Sequence, residues 1–159
     1  MDVGGGDSRL ADALLDRGLS CVTVLDVSEA ALDRARVRVG PRASAVRWLQ
    51  ADVTGDWHSS PVDVWHDRAV FHFLTDPADR AAYLQHVATT VKPGGHLIVA
   101  TFAADGPERC SGLPVARYSP EALAHEFRDY ATPIRTAEER HVTPTGGLQP
   151  FTYSLMKAR

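Results

Sequence analysis

The sequence predicts an α/β fold in which a doubly wound, mostly parallel sheet ends in a C-terminal antiparallel hairpin. Three observations predict it: short apolar runs alternate with stretches of helical period, a glycine turn at residues 4–6 opens the first helix, and the last two β-rich runs flank a Pro/Gly turn. Alternating strands and helices build parallel sheets with right-handed crossovers. Because no repeat or linker divides the 159 residues, we expect one domain over residues 1–159.

The periodicity predicts the elements in chain order. Strands are predicted where short apolar runs occur, over residues 21–25, 45–49, 62–65 and 96–102. Helices are predicted where apolar residues recur at helical spacing, over residues 7–17, 28–39, 80–91 and 120–127. Residues 134–143 and 149–157 flank residues 144–147 and are typical of a hairpin, and residues 92–95 predict a tight turn.

Composition and charge exclude several classes of protein. The chain is 44% hydrophobic and 23% charged, as expected for a globular protein, and its net charge of -3 argues against phosphate neutralisation, so no nucleic-acid partner is expected. No apolar run is long enough for a membrane span, and Cys21 and Cys110 are too few for a disulfide framework. We therefore expect a cytoplasmic protein without a membrane partner.

The glycine turn is the first candidate site. Gly4, Gly5 and Gly6 follow Asp2 and let the backbone pass close to a ligand, because no Cβ stands in the way. Asp26 ends the second predicted strand, where an acid can hydrogen-bond ribose hydroxyls. A plain glycine loop and a strand-end acid before a helix are the structural alternatives.

A dinucleotide site is the rival interpretation of this turn. Nicotinamide-binding turns carry a third glycine that lets helix and strand pack closely, and Arg9 stands in that place. The pattern therefore disfavours a pyrophosphate cradle and favours an adenosine ligand that carries no phosphates.

The order of the motifs resembles that of class I S-adenosylmethionine-dependent methyltransferases. Residues 2–6, 24–28 and 51–53 are similar to the family's first three motifs, residues 63–74 to its fourth strand and following loop, and residues 92–95 to the turn before strand five. The final hairpin is similar to the family's strands six and seven, so the resemblance covers essentially the whole chain. It implies a Rossmann-like methyltransferase fold, with S-adenosylmethionine as cofactor and S-adenosylhomocysteine as product.

The resemblance also implies roles for single residues. The glycines and Asp2 approach the amino-acid part of the cofactor, Asp26 takes the ribose hydroxyls, and Asp67 lies near the methionine moiety and the methyl group. Asp52 accepts from the adenine amino group, and the Val53 backbone N–H meets the ring. The expected cofactor-binding residues are Asp2, Gly4, Gly5, Gly6, Asp26, Val27, Asp52, Val53 and Asp67.

Methyl transfer is an in-line displacement, so alignment of the reacting atoms can supply most of the acceleration. A base is needed only if the acceptor must lose a proton. The candidate catalytic residues are Asp67, His72 and His66, with His72 preferred because its apolar neighbours predict a partly dry pocket wall. A hydrogen-bonding role for His66 and a packing role for His72 are the structural alternatives. The remaining histidines have no metal-ligand spacing, so no metal is expected.

The acceptor stays open between a small molecule and a protein side chain. Residues 105–118 have the length and the Gly/Pro content of a lid or substrate loop, and Cys110 within them is expected to be an ordinary loop cysteine. A cofactor-binding module without activity is the first alternative function, and a nicotinamide-dependent oxidoreductase is the second.

The start of the chain departs from the family pattern. Only Met1 precedes Asp2, so most of the first strand and the N-terminal helix of the family are expected to be missing. A start assigned too far downstream, a trimmed or designed chain, and a fragment completed by another chain all stay open, and a homo-oligomer is one way to compensate. We expect this chain to bind the cofactor more weakly than an extended form.

Overall fold

Seven strands form one sheet in the computed structural model, which describes residues 1–143 and 146–159. The central sheet comprises β1 (Asp2–Val3), β2 (Val22–Asp26), β3 (Val46–Gln50), β4 (Val62–Arg68), β5 (Val91–Phe102), β8 (Ala131–Val142) and β9 (Leu148–Ala158). Two further short strands, β6 (Arg109–Cys110) and β7 (Leu113–Pro114), form a separate antiparallel pair. Pro144 and Thr145 of the predicted hairpin turn lie outside the described residues.

The sheet has the order β3-β2-β1-β4-β5-β9-β8. β1 to β5 are parallel, whereas β9 is antiparallel to β5 and to β8. The order reverses between β1 and β4, so the carboxyl ends of these two strands open a crevice. The predicted doubly wound sheet with a C-terminal hairpin is confirmed.

Four α-helices flank the sheet: α1 (Leu10–Asp16), α2 (Glu29–Val39), α3 (Pro77–Thr90) and α4 (Pro120–Glu126). The predicted start of α1 at residue 7 is wrong, because the Ser8 amide donates to the Gly5 carbonyl at 2.7 Å and so continues the glycine turn. The predicted start of α3 at residue 80 is also wrong. Asp76 caps that helix by accepting from the Ala78 amide at 2.8 Å, and Pro77 suits its first turn.

β1 is only two residues long, and it lies between β2 and β4 at the centre of the sheet. Asp2 and Val3 each pair with one residue of β2 and one of β4. The predicted turn at residues 92–95 lies within β5 as an irregularity, because the pairing with β4 passes from Val91 directly to His96.

Two apolar layers hold the sheet on its opposite faces. The larger cluster lies under α3 and α4 and includes the fully buried Trp65, Phe71, Tyr83 and Phe127. The smaller cluster lies under α1 and α2 and consists of Ala11, Val22, Val24, Leu32 and Val46. Within the described ranges, no helix is long and apolar enough to cross a membrane.

Candidate functional site

A cleft of about 630 Å³ lies at the carboxyl ends of the parallel strands, where the strand order reverses. Its volume is within the range of about 300–1,000 Å³ that is usual for small-molecule sites. The residues that line it are Gly4, Leu25, Asp26, Val27, Ala51, Asp52, Val53, Ala69, Val70, Phe73, Thr75, Leu113 and Pro114.

Gly4, the first residue of the glycine turn, lines the edge of the cleft nearest to β1, whereas Gly5 and Gly6 are not among the lining residues. Gly4 and Gly6 both have left-handed backbone, with φ angles of 64° and 41°. A Cβ on Gly4 would overlap the Val70 Cγ2, and one on Gly6 would lie 2.8 Å from the Asp26 Oδ2. Gly5 lies over Asp2, whose Oδ2 would be 2.6 Å from a Cβ. Only glycine therefore fits at these positions.

Asp26 and Val27 form the side of the cleft that follows β2. The Asp26 Oδ1 accepts from the Ser28 amide at 2.8 Å, which orients the carboxylate beside Gly6. The Asp26 carbonyl accepts from the Ala51 amide at 3.1 Å and so joins the loops after β2 and β3. Val27 is 68% exposed at the cleft rim.

Asp52 and Val53 continue this side after β3. The Asp52 Oδ1 accepts from the amide and the hydroxyl of Thr54, at 2.8 and 2.7 Å, and these bonds hold the pKa of the carboxyl below its usual value. Val53 is buried, and its carbonyl accepts from the Trp57 indole at 3.2 Å. The structure therefore brings Asp26, Asp52 and the glycine turn together around one cleft.

Asp2 and His66 lie side by side on neighbouring strands and are not among the residues that line the cleft. The Asp2 Oδ1 is 2.8 Å from the His66 Nδ1, and Asp2 is only 5% exposed beneath the glycine turn. Their predicted contacts with cofactor and acceptor stay predictions, whereas their observed contact supports the turn from behind.

Asp67 lies beneath the cleft wall, and its predicted place near the methionine moiety and the methyl group stays a prediction. Its carboxylate is fully buried, accepts from the amides of Val70 and Phe71 at 2.8 and 3.0 Å, and accepts from the Tyr83 hydroxyl at 2.7 Å. Burial raises the pKa of Asp67 to about 6 despite these donors. The side chain therefore holds neighbouring backbone and does not face the cleft.

His72 is also fully buried, in the 3₁₀ turn Phe71–Phe73. Its Nδ1 accepts from the Phe102 amide at 3.3 Å, and its ring centroid lies 4.6 Å from those of Phe73 and Phe102. Burial lowers the pKa of His72 to about 4, so the ring is neutral near pH 7. Within the described part of the chain, its Nε2 has no hydrogen-bond partner.

The far wall of the cleft is formed by Val70, Phe73, Leu113 and Pro114. Phe73 is one of the apolar neighbours of His72 that predicted a partly dry pocket wall. Leu113 and Pro114 belong to β7, so the predicted substrate loop at residues 105–118 does contribute to the cleft. The alternation of β4 contained a usable signal for Asp67: it shares strand parity with the apolar Trp65, which predicts an inward side chain.

A doubly wound sheet with a glycine turn at its reversal and acids after β2 and β3 defines an adenosine-binding α/β domain. Residues 1–97 match the family described as "Methyltransferase domain". The chain belongs to this family and is a member of the class I S-adenosylmethionine-dependent methyltransferases.

Curated relatives agree with this assignment. The chain is 26% identical over 152 residues to the ubiquinone biosynthesis O-methyltransferase of Acinetobacter baylyi, a match that covers 94% of this chain and 62% of that protein. It is 27% identical over 158 residues to the protein of the same name from Ralstonia nicotianae, again over 94% of this chain and 62% of the relative. The chain thus spans less than two thirds of the length of these relatives.

Solved structures share the fold. The 1,6-didemethyltoxoflavin-N1-methyltransferase of Burkholderia thailandensis, with bound 1,6-didemethyltoxoflavin and S-adenosylhomocysteine, superposes with a TM-score of 0.75 at 23% identity, over 99% of this chain and 69% of that one. The N-methyltransferase NodS of Bradyrhizobium japonicum, in complex with S-adenosylhomocysteine, has a TM-score of 0.78 at 18% identity, over 99% and 76% of the two chains. At these identities the likeness concerns the fold.

Proposed function

We propose that this chain binds S-adenosylmethionine in the cleft and catalyses transfer of its methyl group, mainly by aligning the reactants. The observation that carries the proposal is the convergence of the glycine turn, Asp26 and Asp52 on one cleft at the strand reversal. The Asp26 carboxylate fits ribose hydroxyls, because the Ser28 amide orients it at the strand end. The apolar Leu25 and Val53 fit the faces of an adenine ring.

The acceptor would meet the far wall of the cleft. When bound, S-adenosylmethionine supplies an electrophilic methyl group on a sulfonium. Val70, Phe73, Leu113 and Pro114 present apolar surface there, which suits a small molecule with an apolar body better than a charged peptide. We therefore favour a small-molecule acceptor, and a protein side chain is the alternative.

The buried histidine is a poor candidate for a general base. A neutral imidazole has one N–H and one lone pair, and the His72 Nδ1 lone pair accepts from the Phe102 amide. The proton of the neutral ring therefore lies on Nε2, which leaves no lone pair for an acceptor proton. His66 is held by Asp2 outside the residues that line the cleft. We propose that alignment within the cleft, without a base from either ring, drives transfer.

The test is calorimetric titration with S-adenosylhomocysteine, with NAD as the competing ligand. Asp26→Ala is expected to weaken binding by roughly tenfold to a hundredfold, because a hydrogen bond to a charged group contributes about 1.5–3 kcal/mol. Asp56→Ala is the matched control, because that carboxylate is almost fully exposed. Binding of NAD in place of S-adenosylhomocysteine would overturn the proposal.

Transfer needs its own assay. Labelled S-adenosylmethionine is incubated with small-molecule and protein fractions of a cell extract, and incorporation of label into the small-molecule fraction is expected. Label in the protein fraction would point to a side-chain acceptor. Tight binding with no transfer to either fraction would instead support a cofactor-binding module.

A further inference from the structure

Three fully buried polar side chains connect β4 with α3 beneath the cleft. The Trp65 indole donates to the Tyr83 hydroxyl at 2.8 Å, and that hydroxyl donates to the Asp67 Oδ2 at 2.7 Å. All three residues have 0% exposed surface, and the Trp65 and Tyr83 rings meet edge to face at 5.4 Å. The hydroxyl of Tyr83 therefore has one donor and one acceptor in a dry environment, where such bonds hold geometry tightly.

The remaining bonds of Asp67 hold a strained turn. Its two oxygens accept from the amides of Val70 and Phe71, so the carboxylate closes the chain reversal that follows β4. Ala69 inside this turn has a φ of 73°, in the left-handed region that is unfavourable for a residue with a Cβ. Such a conformation persists only where the surroundings determine it.

This turn carries one wall of the cleft. Ala69, Val70 and Phe73 all line it, and the Val70 Cγ2 occupies the space where Gly4 has no Cβ. The fit between the wall and the glycine turn therefore depends on where the Val70 backbone is held, and Asp67 holds it directly.

We propose that Tyr83 is a positioning residue for this enzyme, which acts through Asp67 to fix the wall at Val70 against the glycine turn. This inference rests on the proposed function of the cleft. Neither side chain touches the cleft itself: Tyr83 orients the carboxylate, the carboxylate orients the turn, and the turn sets the shape that the cofactor and acceptor meet.

A purely structural explanation accounts less well for this arrangement. Burying a carboxylate carries a desolvation penalty, and well-packed apolar residues of similar volume often stabilise a core as much or more. The polar chain lies within the largest apolar cluster, where Phe71 and Phe127 pack on Tyr83 at centroid distances of 5.0 and 6.3 Å. The series of hydrogen bonds from Trp65 through Tyr83 and Asp67 ends at the strained turn, which lies at the cleft.

The test compares two variants that each remove the hydroxyl of a buried tyrosine. Tyr83→Phe removes the bond to Asp67, whereas the matched control Tyr118→Phe changes a tyrosine whose ring also packs on Phe71, at a centroid distance of 5.7 Å. Affinity for S-adenosylhomocysteine is measured by calorimetry, with the thermal midpoint recorded for each protein. Tyr83→Phe is expected to weaken binding by roughly threefold to tenfold, as for loss of one buried hydrogen bond, and Tyr118→Phe by less than about twofold.

The possible outcomes distinguish failure of the positioning role from failure of the proposed function. If the unmodified protein does not bind S-adenosylhomocysteine, the proposed function fails. If it binds, and Tyr83→Phe either binds equally well or loses no more affinity than a control of the same thermal midpoint, the positioning role fails. If Tyr83→Phe does not fold, hydrogen exchange of the Val70 and Phe71 amides in the unmodified protein tests the positioning role instead. Protection of the Val70 and Phe71 amides without ligand supports preorganisation, and protection only after S-adenosylhomocysteine is added overturns it.

Discussion

The two sides of the cleft rest on different kinds of packing. On one face of the sheet, a small apolar cluster of mostly aliphatic side chains lies under α1 and α2, and charged pairs such as Arg38 with Asp7 and Asp12 join the helices at the surface. The larger cluster on the other face also includes Val3 and Leu25, and its aromatic side chains around β4 and α3 enclose a buried carboxylate. One side presents backbone and acids to the cleft, whereas the other presents an apolar wall.

The two sides of the cleft therefore depend on different interactions. The glycine side requires close approach of the backbone, so a single added atom, such as a Cβ, is enough to disturb it. The wall requires a buried hydrogen-bond chain, so its shape is set by groups that no ligand touches. Substitutions on each side of the cleft test this contrast.

Gly4→Ala should have the largest effect, because the new Cβ would overlap the Val70 Cγ2 where the two sides of the cleft meet. The left-handed φ of 64° and the overlap together are expected to cost about 2–5 kcal/mol of unfolding free energy, measured by urea denaturation. Binding of S-adenosylhomocysteine should fall by more than about tenfold.

Gly18→Ala is the matched control for this prediction. Gly18 has a φ of 80°, and among the described residues nothing lies within 4 Å of its would-be Cβ, so only the backbone cost applies. We expect a loss of about 1–2 kcal/mol and unchanged binding. An equal loss of binding in both variants would show that contact with the wall is unimportant.

The buried and exposed carboxylates should give stability opposite dependence on pH. Burial raises the pKa of Asp67 to about 6 in the folded protein, above its ordinary value of 3.8, so its contribution to stability is greatest below about pH 4 and is lost as the pH rises through 6. The loss amounts to about 3 kcal/mol, at 1.36 kcal/mol for each pKa unit. The groups that face it are the Tyr83 hydroxyl from α3, the Val70 and Phe71 amides, and His66 on its own strand.

The contribution of Asp52 to stability has the opposite pH dependence. The amide and hydroxyl of Thr54 lower its pKa, so its contribution is present above its unfolded pKa and is lost as the pH falls through the folded one.

Comparison of Asp67→Asn with the unmodified protein between pH 4 and 7 isolates the buried group. An identical pH profile of the two unfolding free energies would show that Asp67 does not titrate in this window.

Arg38→Ala should have the smallest effect. Arg38 bridges Asp7 and Asp12 at the surface of the glycine side, with its Nη2 3.0 Å from the Asp12 Oδ2. Partly exposed pairs of this kind contribute about 0.2–1 kcal/mol, and salt screens them. The difference in unfolding free energy should shrink between low and high salt, and a difference that grows with salt would contradict an electrostatic origin.

The sequence predicted the glycine side far better than the wall. Asp26 and Asp52 were identifiable because the carboxyl ends of parallel strands meet at one edge, whatever the details of packing. The family resemblance placed Asp67 near the methyl group, whereas the folded chain buries its side chain on the same face of β4 as Trp65. Tyr83 had no local signal beyond an apolar helix face, since its partner lies 16 residues away in sequence.

The order of strands and helices, the α/β class, and the acids and glycines of the adenosine side could be read from the amino-acid pattern. These follow from local periodicity and from the absence of side chains at the turn, which act over a few residues. The burial of Asp67 and His72, the part of Leu113 and Pro114 in the wall, and the bond from Tyr83 to Asp67 became visible in the folded chain alone. The reason is physical: burial and long-range hydrogen bonds depend on which surfaces meet after folding, and residue spacing does not record that.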